Sequence, residues 1–212
     1  MKTLISVLLT SIISLNSFAQ DQQAKTILDK LSAKTKAYTT IKAEFQYNIN
    51  NKEEGINETQ LGKIEIKGDN YFLSIKGQDV ISNNKSIWTI LKDAEEVQIN
   101  NLPDEEDDEY ISPNKIFTLY EKGFKYKFVK EENGIQIINL YPIEADKKSF
   151  HRIALYISKE KTQITQVKVY GKDGGTFTYV VKSFTPNQAI ADSQFTFDKT
   201  KYSKYEIIDL RE

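Results

Sequence analysis

The sequence predicts an α+β domain, mainly β, in which a curved antiparallel sheet carries amphipathic helices. Three observations support this fold class. Apolar residues recur with a helical period over residues 22–38, and they alternate strictly with polar residues over residues 41–50. Short strand-like segments then follow one another too closely for the crossover helices of about a dozen residues that parallel neighbours need. The sheet is therefore expected to be antiparallel, with about ten strands.

The predicted first helix has an apolar face and a polar face of lysine and glutamine residues. The helical pattern ends near Thr39 and Thr40, after about four turns. Its apolar face consists of Ala24, Ile27, Leu28, Leu31 and Ala37. A helix of this kind needs an apolar surface on which to pack.

Turn signals separate the strands that follow. Asn83-Asn84, Asn133-Gly134 and Asp173-Gly174 are typical of hairpins, because these residues accept a positive φ at low cost. Residues 112–123 predict a second amphipathic helix, with Ser112 as its cap. Residues 193–210 predict an extended segment that completes the sheet.

The stretch "ISNNKSIWTIL", residues 81–91, is apolar on both faces of its implied strand. The stretch "IQIINLYP", residues 135–142, also has apolar residues on both faces. A strand in a sheet with one solvated face alternates instead. Twelve tyrosines and eleven phenylalanines also fall mostly on strands. Two interpretations remain open. The residues form an ordinary core, or a curved sheet with helices over it encloses a hydrophobic cavity for a ligand.

The first residues, "MKTLISVLLTSIISLNSFAQ", predict a secretory signal peptide. Lys2 precedes an apolar run, and small residues precede a cleavage site after Ala19. Residues 20–212 then form a single domain, expected to be soluble in a bacterial periplasm. The chain has no cysteine, so its stability comes from an ordinary core, and its formal net charge of -1 argues against a nucleic-acid partner.

No group of residues predicts catalysis. His151 is the only histidine, and no cysteine accompanies it, so neither a zinc site nor a catalytic triad is indicated. The acidic run at residues 104–109 lacks the ligand spacing of an EF-hand and is better interpreted as a solvated loop than as a Ca²⁺ site. We therefore expect a protein that is not an enzyme and has no metal or cofactor.

Four segments, in this order, resemble the periplasmic outer-membrane lipoprotein carrier family, which is LolA-like. They are "AKTILDKLSAKTKAYTTIKAEFQY", "GKIEIKGDNYFLSI", "VISNNKSIWTILKDAEEVQI" and "DSQFTFDKTKYSKYEIIDL", and the resemblance spans nearly all of residues 20–212. It implies an unclosed half-barrel with helices as a lid over a hydrophobic cavity. The sequence departs from the family at Gly68 and Asp69, where many members have Arg-Pro and the arginine helps to hold the lid closed.

The resemblance also implies a function and partners. Members take lipoproteins from an inner-membrane ABC-type releasing complex and pass them to an outer-membrane acceptor. We therefore expect a monomeric carrier of lipoprotein acyl chains. The alternative is a lipid-binding or envelope-sensing module of the same fold that does not shuttle lipoproteins. The predicted lipid-binding residues are Phe45, Tyr47, Ile64, Phe72, Trp88, Ile138 and Leu140 in the sheet, with Leu28, Leu31, Ile116 and Leu119 on the lid.

Overall fold

The computed structural model describes residues 13–103 and 115–211. Its one α-helix in that part of the chain, α1, runs from Ile13 to Lys36 and contains most of the predicted first helix. The strands that follow form a single unclosed sheet. Their bounds are β1 Ile41–Asn51, β2 Ile56–Lys67, β3 Asn70–Ile75, β4 Gln78–Ser82, β5 Ser86–Leu91, β6 Glu96–Asn101, β7 Phe124–Glu132, β8 Ile135–Pro142, β9 Phe150–Ser158, β10 Gln163–Gly171, β11 Thr176–Pro186 and β12 Glu206–Asp209.

The order of strands across the sheet is β12-β6-β5-β4-β3-β2-β1-β11-β10-β9-β8-β7. Two antiparallel meanders therefore meet in the middle, where β1 pairs with β11. The predicted hairpin turns are confirmed at Asn84, where φ is 62°, and at Asn133-Gly134, where φ is 50° and 74°. The mainly β, antiparallel fold class is also confirmed.

The predicted second helix is wrong, and the predicted extended segment at the end of the chain is right only in its last part, where β12 completes the sheet. The described part of the predicted second helix, residues 115–121, forms turns and a short 3-10 helix at Leu119–Glu121; Ser112 lies outside the described residues. Ile116, Phe117, Leu119 and Tyr120 of this segment all pack in the cluster under α1, and Phe117 also contacts a second cluster, so tertiary packing overrides helical propensity. At the end of the chain, 3-10 helices Asp192–Phe195 and Lys199–Tyr202 precede β12, which pairs with β6 in parallel.

We call the face of the sheet on which α1 packs the inner face, and the opposite one the outer face. Over β7 to β10, the inner face and α1 form the largest core cluster. A second cluster, built on Ile41, Ile66 and Tyr71, continues the inner face over β1 to β3. Phe117 packs against both clusters and so bridges them.

The outer face has its own core over β3 to β6. There Ile81, Ile90, Val97 and Ile99 are buried beneath aromatic residues of the C-terminal segment. Phe195 of this segment is only 2% exposed. The outer side of β5, one of the strands with two apolar faces, is thus covered by protein, by a segment that lies about a hundred residues further along the chain.

Candidate functional site

The inner face of the two central strands carries a row of four aromatic side chains, Phe45 and Tyr47 on β1 with Phe177 and Tyr179 on β11. We call it the aromatic row. The rings of Tyr47 and Tyr179 stack with centroids 4.8 Å apart, and Tyr47 and Phe177 stack at 6.5 Å. Phe45 tilts against Tyr179 at 6.0 Å. These pairs follow from the register, which places Tyr47 opposite Tyr179 and Ile49 opposite Phe177.

A glycine on the neighbouring strand makes room for the row. Gly62 of β2 lies opposite Phe45, and the ring of Phe45 covers it. A Cβ atom at Gly62 would clash with that ring and lie 3.0 Å from Cγ2 of Ile75. Because Gly62 has no side chain, the ring of Phe45 packs directly on the backbone of β2, as aromatic rings often do over glycines in neighbouring strands.

The aromatic row is buried at Phe45 and partly open at Tyr179. Phe45 is 8% exposed, whereas Tyr179 is 36% exposed although it lies on a central strand. Burial raises the pKa of Tyr47, so its phenol stays neutral near pH 7. An apolar, uncharged surface is thus partly open to solvent in the middle of the sheet, which is where a folded domain normally buries its side chains.

The part of the inner face under α1 is closed by protein. Leu28 and Leu31 of α1 are 0% and 1% exposed, and Ile138 and Leu140 of β8 are both 0% exposed in the same cluster. These four predicted residues are therefore brought together. In this conformation they contact each other and leave no exposed surface for a ligand.

Polar contacts hold α1 to residues 115–121, and we call them the latch. The hydroxyl of Tyr120 donates to Asp29 at 3.0 Å, and the hydroxyl of Ser32 donates to Glu121 at 2.9 Å. Lys36 forms an ion pair with the same Glu121 at 2.8 Å. Burial raises the pKa of Tyr120 to about 12, so its hydroxyl stays a donor to the carboxylate of Asp29 through the physiological range.

Of the other predicted residues, Ile64 lies on the inner face in the second cluster, and Ile116 and Leu119 pack against the cluster under α1. The structure does not bring Phe72 and Trp88 to this face. Both lie on the outer face, where Trp88 stacks on Phe197 with centroids 5.9 Å apart and planes at 14°. The sequence pattern could not assign Trp88 to a face because both faces of β5 are apolar.

The sequence interpretation missed Phe177 and Tyr179. The signal was present, since "TFTYVV" places Phe177, Tyr179 and Val181 at alternate positions between two threonines and a valine.

At the departure from the family pattern, Gly68 has φ of 58° and forms a two-residue turn with Asp69 between β2 and β3. The preceding Lys67 pairs with Asp192 at 2.6 Å, which ties this turn to the C-terminal segment.

The described residues contain no group of three or more histidine, cysteine, aspartate or glutamate side chains that could hold a metal ion. The acidic run at residues 104–109 lies outside the described part. His151 is exposed and tilts against Tyr170 with centroids 6.1 Å apart. Within residues 13–103 and 115–211, no helix is both long enough and apolar enough to cross a membrane.

An open antiparallel sheet with one helix laid across part of one face defines the class of unclosed half-barrels. The family described as outer membrane lipoprotein carrier protein LolA matches residues 36–198. The chain therefore belongs to the LolA family. No protein with a curated description matches the sequence.

Several solved structures resemble this chain. An uncharacterized conserved protein from Thermus thermophilus is 15% identical, with a TM-score of 0.55 over 88% of this chain and 99% of that one. A putative outer membrane lipoprotein-sorting protein domain from Vibrio parahaemolyticus is 10% identical, with a TM-score of 0.48 over 86% and 99%. A LolA superfamily protein from Nitrosomonas europaea is also 10% identical, with a TM-score of 0.46 over 83% and 98%.

Proposed function

We propose that this protein is a periplasmic, non-enzymatic carrier that binds lipoprotein acyl chains on its inner face. It takes them from an inner-membrane ABC-type releasing complex and passes them to an outer-membrane acceptor. Membership of the LolA family supports this function, and the observation that carries it is the partly open aromatic row on the central strands. An acyl chain can reach the aromatic row from solvent without any displacement of α1 or of the strands.

The energetics favour a site that opens further once a chain has entered. Each buried methylene contributes roughly 0.8 kcal/mol, so a sixteen-carbon chain gains about 12 kcal/mol on leaving water. The aromatic row alone is too small to shelter such a chain. When α1 lifts, Leu28 and Leu31 exchange contacts with β8 for contacts with the chain. Because apolar contacts replace apolar contacts, binding stays reversible, as transfer to an acceptor requires.

A matched pair of variants tests the location of the site. Tyr179→Asp places a carboxylate in the aromatic row, and Leu61→Asp makes the same change of charge on the outer face of β2, where Leu61 is 71% exposed. With a fluorescent fatty-acid probe and the exported protein, Tyr179→Asp should weaken binding by about tenfold or more, since a charge meets the hydrocarbon. Leu61→Asp should bind as the wild type does. Equal affinities for all three proteins would contradict the proposal.

Native mass spectrometry of protein purified from its own periplasm separates carriage from the alternative. A carrier should retain a tri-acylated lipoprotein and release it to acceptor-containing membranes. Retention of free lipid with no transfer of lipoprotein identifies a lipid-binding or sensing module instead. Protein that holds no lipid and binds no acyl probe rejects both functions.

A further inference from the structure

The outer face over β7 to β10 carries a group of cationic side chains that the proposed function does not use. Register places Lys127, Asn139, Ala154, Lys168 and Thr178 in one row across five neighbouring strands. In the adjacent positions Lys125 pairs with Tyr141, and Arg152 pairs with Tyr170. We call Lys125, Lys127, Arg152 and Lys168 the cationic patch.

The patch has no acidic residue beside it in the register of the strands. Several lysines elsewhere do form ion pairs, and at the end of β7 Glu131 and Glu132 pair with Lys159 and Lys130. Among the described residues, none of the four patch cations forms an ion pair. The residues that the register places beside them, from Lys127 across to Thr178 and in the pairs Lys125–Tyr141 and Arg152–Tyr170, include no acidic side chain. The positive charges therefore face solvent uncompensated, although the whole chain has a net charge of only -1.

The ring of Tyr170 holds two of the four patch cations in place. The guanidinium of Arg152 lies 3.8 Å from the ring centroid of Tyr170, and Nζ of Lys168 lies 5.0 Å from the same centroid. Nε of Arg152 is buried and has no hydrogen-bond partner among the described residues. The guanidinium is thus fixed by the ring, and its hydrogen-bonding capacity is not used by another side chain.

We propose that the cationic patch docks the protein on a membrane surface that carries anionic lipid headgroups. Lys127 and Lys168 are three strands apart, roughly 14 Å, a separation that no single phosphate ion bridges. Asn139 and Ala154 lie between them in the same row, so the patch spreads its positive charge over several strands instead of gathering it in one pocket. Tyrosines between the cations suit the boundary between headgroups and acyl chains. The docking does not depend on acyl binding at the inner face.

Vesicle sedimentation tests this surface. The exported protein should bind phosphatidylcholine vesicles that contain about a third of phosphatidylglycerol, and high salt should release it. The double variant Lys127→Gln and Lys168→Gln should lose about tenfold or more of this affinity. The control double variant, Lys52→Gln and Lys76→Gln, removes the same amount of charge from two turns outside the patch. Its affinity for the vesicles should equal that of the wild type. Acyl-probe binding should be the same in all three proteins.

Other outcomes overturn the proposal. Equal binding to vesicles with and without phosphatidylglycerol would show that headgroup charge is irrelevant. Equal losses in the patch variant and the control would show a dependence on net charge alone. Full competition by inorganic phosphate at constant ionic strength would indicate a site for a free anion. Binding of an acidic peptide such as polyglutamate, with none to vesicles, would indicate a protein partner.

Discussion

Replacing Phe197 by alanine tests the assignment of Trp88 to the outer face. The half-buried ring of Phe197 lies between Trp88 at 5.9 Å and Tyr202 at 5.3 Å, in both cases nearly parallel. A fully buried Phe→Ala change costs about 3–5 kcal/mol, so a half-buried ring with two stacked neighbours is worth about 2–3 kcal/mol. For a domain of this length, that corresponds to a loss of about 5–10 °C in Tm.

Fluorescence and calorimetry measure this effect, because Trp88 is the only tryptophan. Phe197→Ala should lower Tm and shift the emission of Trp88 to the red, since water then reaches the indole. Phe177→Ala makes the same chemical change in the aromatic row. It should leave the emission unchanged but weaken acyl-probe binding by about tenfold, which corresponds to lost contacts with about two methylenes. If instead Phe177→Ala shifted the emission and Phe197→Ala did not, the assignment of faces would be refuted.

Three further predictions concern the inner face. Leu28→Ala should lower the free energy of unfolding by about 2–5 kcal/mol in urea titrations, because Leu28 is fully buried under α1; a loss below about 1 kcal/mol would contradict that packing. Gly62→Val should displace the ring of Phe45 and cost about 1–3 kcal/mol, and an unchanged urea midpoint would show that the ring does not cover Gly62. A hydrogen bond from Lys36 lowers the pKa of Glu121 from 4.5, so the latch is intact above this value and weakens as pH falls below it. The free energy of amide exchange in α1, corrected for the intrinsic exchange rate at each pH, should therefore fall in acid, and a pH-independent free energy would exclude the latch.

Local sequence patterns were sufficient wherever one face of an element is polar. The alternation in β1 predicted that Phe45 and Tyr47 share a face, and the structure confirms it. It also confirms the predicted apolar face of α1 except for Ala37, which lies beyond the end of the helix and is exposed. The hairpin turns were also predictable, since a positive φ at Asn84 or Gly134 is a property of the residue itself.

The sequence could not resolve features that depend on distant contacts. Trp88 has apolar neighbours on both faces, and the segment that covers it, around Phe197, lies more than a hundred residues away. The parallel pairing of β12 with β6 has the same origin, because the C-terminal segment crosses the outer face before it reaches the edge of the sheet.

Photo-crosslinking with a fatty acid that carries a diazirine on its chain, followed by peptide mass spectrometry, shows which face of the sheet an acyl chain contacts. If the chain binds on the inner face, labelling of Tyr47, Phe177 and Tyr179 should be saturable and competed by unlabelled fatty acid, with no competed labelling at Trp88 or Leu61. Labelling that is spread over the outer face, or that unlabelled fatty acid does not compete, would contradict binding on the inner face.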